Sequence, residues 1–416
     1  MKNQKTETLV IRHPSRNILQ ACHLAKNLYN ASLYDVRQHF FNTGEYLTWQ
    51  SQRVKFVSQN QPDYRALPAK ISGEVLRLVG SNFNSFFGLL KAKQNGAYNK
   101  QVRIPKYLPK NCLTTLRVPK DAISIDRNPV ENRHGELIYT HRISPKHLNI
   151  EIRTRVANPQ FITLTPKHGR VHVSVVYNDG SKPIQLSDNG RYAAIDLGVN
   201  NLAAMIDSDG TANLYNGKPV KSINQFFNKA KAKLTSQLDI RGEVKISKRL
   251  QRMSAKREGR INWYFHQVSS DIVNHAVSND INTVIIGHNP EWKQDINIGR
   301  RNNQTFVSIP FAKLIHQIED KASRYGIRVI LTEESYTSKC SFLDWEEVKK
   351  HESYLGKRTR RGLFKASDGR IINADINGAG NILRKVVPVE QLNAQGIEDG
   401  AVHPALITFS GPCKTQ

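Results

Sequence analysis

Cysteine is scarce in this chain and acidic residues are outnumbered. Four cysteines, Cys22, Cys112, Cys340 and Cys413, are scattered through 416 residues without one Cys-x-x-Cys pair. That spacing excludes a disulfide framework and gives no support to a zinc ribbon, which needs thiolates in two close pairs. The four read as reduced, mostly buried thiols. No apolar run reaches the length of about eighteen residues that a membrane helix needs, and the N-terminus lacks the short apolar stretch of a secretory signal. The sequence therefore reads as intracellular and soluble, with no membrane partner. Asp and Glu total 35 against 61 Lys and Arg, a formal net charge of +26. A surplus of that size points to a polyanionic partner, nucleic acid ahead of a membrane surface, and says nothing about fold.

What is present is enough apolar material, 39% of residues, to bury a substantial core in two or three structural units. Thr8 to Arg12 reads as a short strand. Ile18, Cys22, Ala25, Tyr29, Leu33, Val36 and Phe40 then recur at helical spacing, and a second such stretch runs from Ile71 through Phe83, Phe86, Phe87 and Leu90. From Val102 to Gln185 prolines punctuate short alternating runs, including Leu148 to Arg153, Phe161 to Leu164 and Arg170 to Val176, the pattern of a small antiparallel barrel or sheet. The first strand is expected to join that barrel, with the helices inserted between its strands.

After the turn Ser187-Asp-Asn-Gly190 the pattern changes. Ala193 to Leu197, Leu202 to Ile206 and Ala212 to Tyr215 form a predicted meander. Basic helices follow, and then Thr283 to Gly287 and Arg328 to Glu333 read as short apolar β-branched strands separated by a helix near Phe311 to Tyr325, the order of parallel βαβ units. Hairpins followed by βαβ is the order of the ribonuclease H fold. The last thirty residues, Val387 to Gln416, hold few basic groups and several Pro and Gly, and are expected to form a poorly ordered tail.

Two strings place one carboxylate each among small or apolar neighbours: Tyr192-Ala-Ala-Ile-Asp-Leu-Gly-Val-Asn-Asn-Leu-Ala203, with Asp196, and Asn373-Ala-Asp-Ile-Asn-Gly-Ala-Gly-Asn-Ile382, with Asp375. An ionised side chain there is expensive unless a cation or partner offsets it. Taken alone, each aspartate also reads as a strand end or a helix cap. Taken together, the pair suggests a divalent-metal site for phosphodiester cleavage, in which one ion activates water and the other stabilises the leaving oxygen. Two acids are too few for two ions, so a third is expected.

The strings Ile195-Asp-Leu-Gly-Val-Asn-Asn-Leu202 and Asp375-Ile-Asn-Gly-Ala-Gly-Asn-Ile382 resemble the first and third RuvC motifs of TnpB, the OrfB-type protein of bacterial insertion sequences. Thr337-Ser-Lys-Cys-Ser341 resembles that family's zinc-finger entry, and Leu28-Tyr-Asn30, Leu67-Pro68 and Ile104-Pro-Lys-Tyr107 its N-terminal half. The resemblance implies an α/β RuvC domain of ribonuclease H type joined to a wedge-type β-barrel with a helical recognition insertion. The implied division is a first barrel strand over 1–14, the helical insertion over 15–95, the rest of the barrel over 96–189, the RuvC domain with a basic helical insert over 190–336, a degenerate zinc-finger-like insert over 337–370, the third RuvC motif over 371–386 and the tail over 387–416. It also implies an RNA-guided DNA endonuclease of a transposon, similar to compact ancestors of type V CRISPR effectors. Its partners would be a guide RNA and double-stranded target DNA bearing a short adjacent motif. Two Mg2+ ions would be its cofactors, and it would act in the bacterial cytoplasm, on the nucleoid when bound to DNA; the sequence leaves the oligomeric state open, with a monomer favoured.

The sequence departs from that pattern twice. Where the second RuvC motif ordinarily ends its strand in a glutamate, this chain reads Val284-Ile-Ile-Gly-His-Asn289, with Gly287 in the slot. Glu291, Glu333 and Glu334 are the candidates for the third acid. Glu334 is preferred, because in a ribonuclease H sheet its strand lies beside the strand ending at Gly287, and a glycine there leaves room to reach across. Glu333 would point to the opposite face. The expected ligand and catalytic set is Asp196, Glu334 and Asp375. Second, Cys340 is followed by no second cysteine before the third motif, so no zinc is expected.

Basic residues mark the expected nucleic-acid contacts: Lys106 in the N-terminal half, Lys245, Lys248, Arg249, Arg252, Lys256 and Arg257 on the helical insert, and Arg358, Arg360 and Arg361 beyond the cysteine. Trp263, Tyr264 and Phe265 read as core. Asn82, Asn84 and the Tyr64-Arg65 pair are candidates for reading the target-adjacent motif. The rival readings are a nuclease-inactive RNA-guided DNA-binding regulator and a transposase that joins DNA ends.

Overall fold

The alternating N-terminal run forms strand β1 (Gln4–Ile11), whose residues switch between exposed and half-buried at every step, as a strand with one covered face requires. A computed structural model of the chain describes residues 4–125, 129–132, 134–143, 149–180, 184–240, 247–289, 299–360 and 362–411. The chain divides into two units, Met1–Lys182 and Pro183–Gln416.

In the first unit β1 is followed by α1 (Arg16–Thr43), α2 (Trp49–Ser58), α3 (Pro62–Arg65) and α4 (Ala69–Gln94). Helix α1 begins because Ser15 Oγ accepts the Ile18 amide, and it stops at Gly44, which adopts φ 74° and donates its amide to the Phe40 carbonyl. Ile18, Cys22, Ala25, Tyr29, Leu33 and Val36 are buried at the predicted three- and four-residue spacing, in one core with Val75, Val79 and Phe83 of α4. Strands β2 (Leu116–Pro119), β3 (Ile123–Ile125), β4 (Val130–Glu131), β5 (Leu137–Ile143), β6 (Ile150–Thr154), β7 (Pro159–Lys167) and β8 (Arg170–Asn178) follow. They form two antiparallel sheets. One has the order β1-β8-β7-β2, and in the other β5 pairs with β3, β4 and β6. β1 pairs with β8 from Gln4↔Asn178 to Ile11↔Val171, so the four helices lie between strands of one sheet in the sequence.

The second unit opens with the meander β9 (Tyr192–Asp196), β10 (Asn201–Asp207) and β11 (Ala212–Asn216), continues through α5 (Lys218–Ile240) and α6 (Lys248–Ser278), and enters β12 (Thr283–Gly287). Helices α7 (Arg300–Val307) and α8 (Phe311–Ala322) lead to β13 (Arg328–Thr332), the small sheet β14 (Lys357–Arg360), β15 (Leu363–Lys365) and β16 (Ile371–Asn373), and helix α9 (Ala374–Val386). One six-stranded sheet has the order β13-β12-β9-β10-β11-β17, the last strand being Ala405–Ile407. Its hairpins β9–β10 and β10–β11 are antiparallel, while β12 runs parallel to both β9 and β13. That is the predicted hairpin-then-βαβ order. Residues 184–189, expected with the first unit's strands, belong to the second: the Leu186 amide donates to the Gly326 carbonyl, and Tyr192 Oη donates to Asp188.

The tail expectation is corrected over 387–411. This stretch forms helix α10 (Ala394–Val402) and strand β17 (Ala405–Ile407), which adds parallel to β11 at the sheet edge. Two of the glycines that suggested disorder, Gly396 and Gly400, are places where backbones touch. A Cβ on Gly400 would lie 1.4 Å from the Gly210 carbonyl oxygen, and one on Gly210 would lie 2.0 Å from that of Gly396. Leu392, Ile397 and Ala401 are buried in the core beneath the sheet, and burial of apolar surface offsets the ordering entropy that a solvated tail would keep. Among the described residues no helix is long and apolar enough to cross a membrane.

Candidate metal centre

Strands β9, β12 and β13 are parallel and end side by side, with Ile286 opposite Ile195 and Gly287 opposite Thr332. Groups just beyond those ends converge on one edge of the sheet, where ligands of open α/β sheets gather. β9 ends in Asp196. β12 ends in Gly287, and two residues past β13 stands Glu334. Helix α9 packs across this edge and brings Asp375 in its first turn.

Each small residue in the α9 string has a spatial reason. A Cβ at Gly378 would come within 2.5 Å of Asp196 Oδ2, and one at Gly380 within 2.5 Å of the Phe342 ring. Gly378 lies one turn after Asp375, so the Asp196 carboxylate rests against the helix face that carries Asp375. The two asparagines that flank these glycines were not singled out by the sequence reading. Asn377 and Asn381 are fully buried, both donate to the Cys340 carbonyl, at 2.9 and 2.8 Å, and Asn381 donates to the Thr337 carbonyl at 2.9 Å. Together they clamp the turn that follows Glu334. Their four-residue spacing on one helix was the available signal.

Glu334 fills the room left by glycine on β12. A Cβ at Gly287 would meet Glu334 Oε1 at 2.7 Å and Glu334 Cγ at 2.8 Å. The Glu334 amide donates to Asn289 Oδ1 at 2.9 Å, which fixes the backbone, yet the buried Oε1 has no hydrogen-bond partner. Burial pushes the carboxyl up to about 7, with the Lys385 ammonium opposing and Glu333 adding to the shift. Glu333 points away: its side chain is 58% exposed and accepts from Lys385 Nζ. Glu291 lies outside the described residues.

Asp196 keeps a little surface but is densely surrounded by protein. Burial raises its pKa well above the usual carboxylate range, the Asp375 and Glu334 carboxylates push further in the same direction, and the Arg358 guanidinium opposes them. Asp375 is held from two sides, by Asn201 Nδ2 at 2.9 Å and by Arg358 at 3.7 Å. Among the described residues no three His, Cys, Asp or Glu side chains stand ready to grip an ion. The donor set nevertheless fits a hard divalent cation: the oxygens are carboxylate, they repel one another, and one of them is buried without a partner.

The other expected contacts separate into groups. Lys106, Lys248, Arg249, Arg252, Lys256, Arg358 and Arg360 are exposed, and Lys245 and Arg361 lie outside the described residues. Arg257 is corrected: it is half-buried, with Nε donating to Asn224 Oδ1 at 2.6 Å and Nη2 to the Ser308 carbonyl at 2.9 Å, so it braces α6 instead of presenting a free cation. Tyr64, a candidate reader of bases, is corrected too, since it is 1% exposed and packed against Phe56. Asn82 donates to Tyr29 Oη. Tyr264 and Phe265 are core, as expected. Cys340 is buried and its thiol donates to the Lys349 carbonyl.

A family model described as OrfB_IS605, probable transposase, matches residues 172–293, and one described as Cas12f1-like, TNB domain, matches residues 311–382. Asp196 lies in the first region; Glu334 and Asp375 lie in the second. The TnpB-like protein ORF457 of Acidianus two-tailed virus is 26% identical over 413 residues, covering 90% of this chain and 84% of its own. Among solved structures, the mini-RNA-guided endonuclease CRISPR-Cas_phi3 aligns with a TM-score of 0.51 at 10% identity over 92% of each chain. A Cas12f1–sgRNA–target DNA complex aligns with a TM-score of 0.36 at 17% identity, covering 92% of this chain and 100% of that one. The Cas_phi3 likeness speaks to the fold alone, a mixed α/β architecture. By its two family matches and its viral relative, the chain is similar to proteins of the TnpB type over most of its length.

Proposed function

We propose that this chain is an RNA-guided DNA endonuclease with a single RuvC-type site, in which Asp196, Glu334 and Asp375 hold two Mg2+ ions. The observation that carries the reading is Glu334, which stands across Gly287 on the same sheet edge as Asp196, with a buried oxygen lacking a partner. The acid missing from the end of β12 was the motive for reading a nuclease-inactive binder, and Glu334 removes that motive. Bound Mg2+ would activate the attacking water and stabilise the leaving 3′ oxygen.

The protein's own part is to hold the acids in place. Asn201 and Arg358 orient Asp375, the clamp of Asn377 and Asn381 steadies the turn after Glu334, and Lys385 draws Glu333 away. In this reading the second unit has the ribonuclease H fold. The antiparallel sheets of the first unit serve as the wedge barrel, its helices as the recognition insertion, and exposed cations such as Lys106, Lys248, Arg249, Arg252, Arg358 and Arg360 contact guide RNA and double-stranded target DNA through phosphates.

The test is cleavage of a guided plasmid by the purified ribonucleoprotein. Asp196→Ala is expected to abolish Mg2+-dependent cutting while RNA binding is retained, and normal cutting by that variant would overturn the assignment. Sequencing the RNA that co-purifies with the chain is expected to return one guide species.

A further inference from the structure

Helices α5 and α6 leave a cleft that the carboxylate site does not use. Its lining comes from one face of each helix: Ser222, Ile223, Phe226 and Phe227 on α5, and Met253, Lys256, Arg257 and Arg260 on α6. Spacings of one, four and five on α5, and of three, four and seven on α6, aim these side chains at one another. The cleft encloses about 430 Å3, within the range of roughly 300–1,000 Å3 typical of small-ligand sites.

The chemistry of the lining divides into a wall, a floor and a rim. Phe226 is 71% exposed. A lone exposed aromatic is ordinary; this one stands beside the Met253 thioether and the Phe227 ring, in a cleft that carries three cations. The Arg257 guanidinium lies 5.1 Å from the centroid of Phe227 and is fixed by Asn224 and Ser308. It therefore supplies a stationary charge whose ordering is already complete. Lys256 and Arg260 are exposed on the rim.

A flat apolar face beside fixed and mobile cations is the combination that holds one unstacked base together with its phosphate. A phosphate alone would leave Phe226 without a role, and an apolar side chain would leave the cations unused. On a chain of net charge +26 we infer that this cleft is a nucleotide pocket. It receives a single base flipped out of a bound nucleic-acid strand and stacks it on Phe226, with the flanking phosphate held by Lys256 and Arg260. The inference rests on the nucleic-acid-binding part of the reading above and is independent of the nuclease chemistry.

The test uses the full-length protein with short uridine and thymidine oligonucleotides that carry one 5-iodouracil, crosslinked by ultraviolet light and mapped by peptide mass spectrometry. The expected crosslink falls on Phe226 or Phe227, and the RNA and DNA arms identify which strand supplies the base. Phe226→Ala is expected to remove the crosslink and weaken binding about 5- to 100-fold, with an unchanged slope of log affinity against log salt. Arg260→Ala is expected to lower that slope by about one, and Phe226→Trp to keep both crosslink and affinity. Crosslinks mapping elsewhere, with Phe226→Ala binding as tightly as the unmodified chain, would overturn the pocket and leave nucleic-acid binding intact. Failure of the unmodified chain to bind either strand would overturn the pocket and the nucleic-acid reading together.

Discussion

The two ends of the β9–β10 hairpin both bury a carboxylate, and they treat it oppositely. At one end Asp207, 1% exposed, accepts the amides of Asp209 and Thr211 at 3.1 and 2.8 Å on one oxygen, and the other oxygen lies 2.7 Å from His275 Nε2. Its lone pairs are served by the surrounding fold. At the other end Asp196 faces two further acids, its pKa is raised, and Glu334 Oε1 beside it is buried without a partner. Leaving a buried polar atom unpaired costs about 1–3 kcal/mol, more for a charge, and a fold selected for stability alone has no reason to keep Glu334 Oε1 so, beside two further acids. The contrast separates an acid whose lone pairs the fold serves from acids whose charges oppose one another, as the proposed metal site would require.

Substitutions at the two ends are therefore expected to part activity from stability. Glu334→Gln is expected to lower plasmid cleavage roughly a thousandfold or more, with no loss of thermal stability in Mg2+-free buffer. The exchange variant Gly287→Glu with Glu334→Gly returns the acid to the end of β12 and removes the clash with Glu334, while Ile382 Cδ1, 2.5 Å from a Cβ at that position, must still shift. It is expected to cut faster than Glu334→Gly alone. Wild-type cleavage by Glu334→Gln would break the comparison.

The next effect in size lies at the opposite end. Asp207→Ala leaves His275 and two amides unserved and is expected to lower stability by about 3–5 kcal/mol in urea titration, while the cleavage rate per folded molecule stays unchanged. A fall in that rate without a fall in stability would show that the two ends are not independent.

A smaller effect follows from protonation. Folded Glu334 holds its proton up to about 7, against an ordinary value of 4.5, so between those values the folded chain binds more protons than the unfolded one. Its contribution to stability is fully present below pH 4.5 and is lost as pH rises through 7. In Mg2+-free buffer, wild type is expected to lose about 1–3 kcal/mol more than Glu334→Gln across that window. Parallel pH profiles of the two proteins would contradict this.

The smallest effect concerns the edge strand. Phe409 meets the Tyr264 ring edge-on at 6.0 Å, and Phe409→Ala is expected to cost about 1–2 kcal/mol of thermal stability by loss of apolar contact without altering cleavage. This aromatic contact, outside the candidate metal centre, serves as a reference for stability alone.

Much of this molecule is written locally. The three- and four-residue rhythm of Ile18 to Val36, the cap at Ser15, the hairpins after Tyr192 and the alternating strands β6 to β8 follow from neighbours within a few positions, because helix and strand periods act over one or two turns. The identity of the two aspartate strings was equally legible, since an acid among small apolar residues is anomalous wherever it stands. The tail was misread because Gly396 and Gly400 look the same in sequence whether they loosen a chain or admit a neighbouring backbone. Arg257 and Tyr64 were misread for a related reason: composition names a cation or an aromatic, but only long-range packing says whether it faces solvent.

Local patterns were enough for most elements before residue 387, the positive charge and the two aspartate strings. What long-range packing adds is the seating of Glu334 against Gly287, the buried asparagines that hold the turn after it, and an exposed Phe226 in a cationic cleft. The physical reason is distance along the chain. Gly287 and Glu334 meet because parallel pairing brings β12 beside β13, a contact between remote segments that no local pattern encodes.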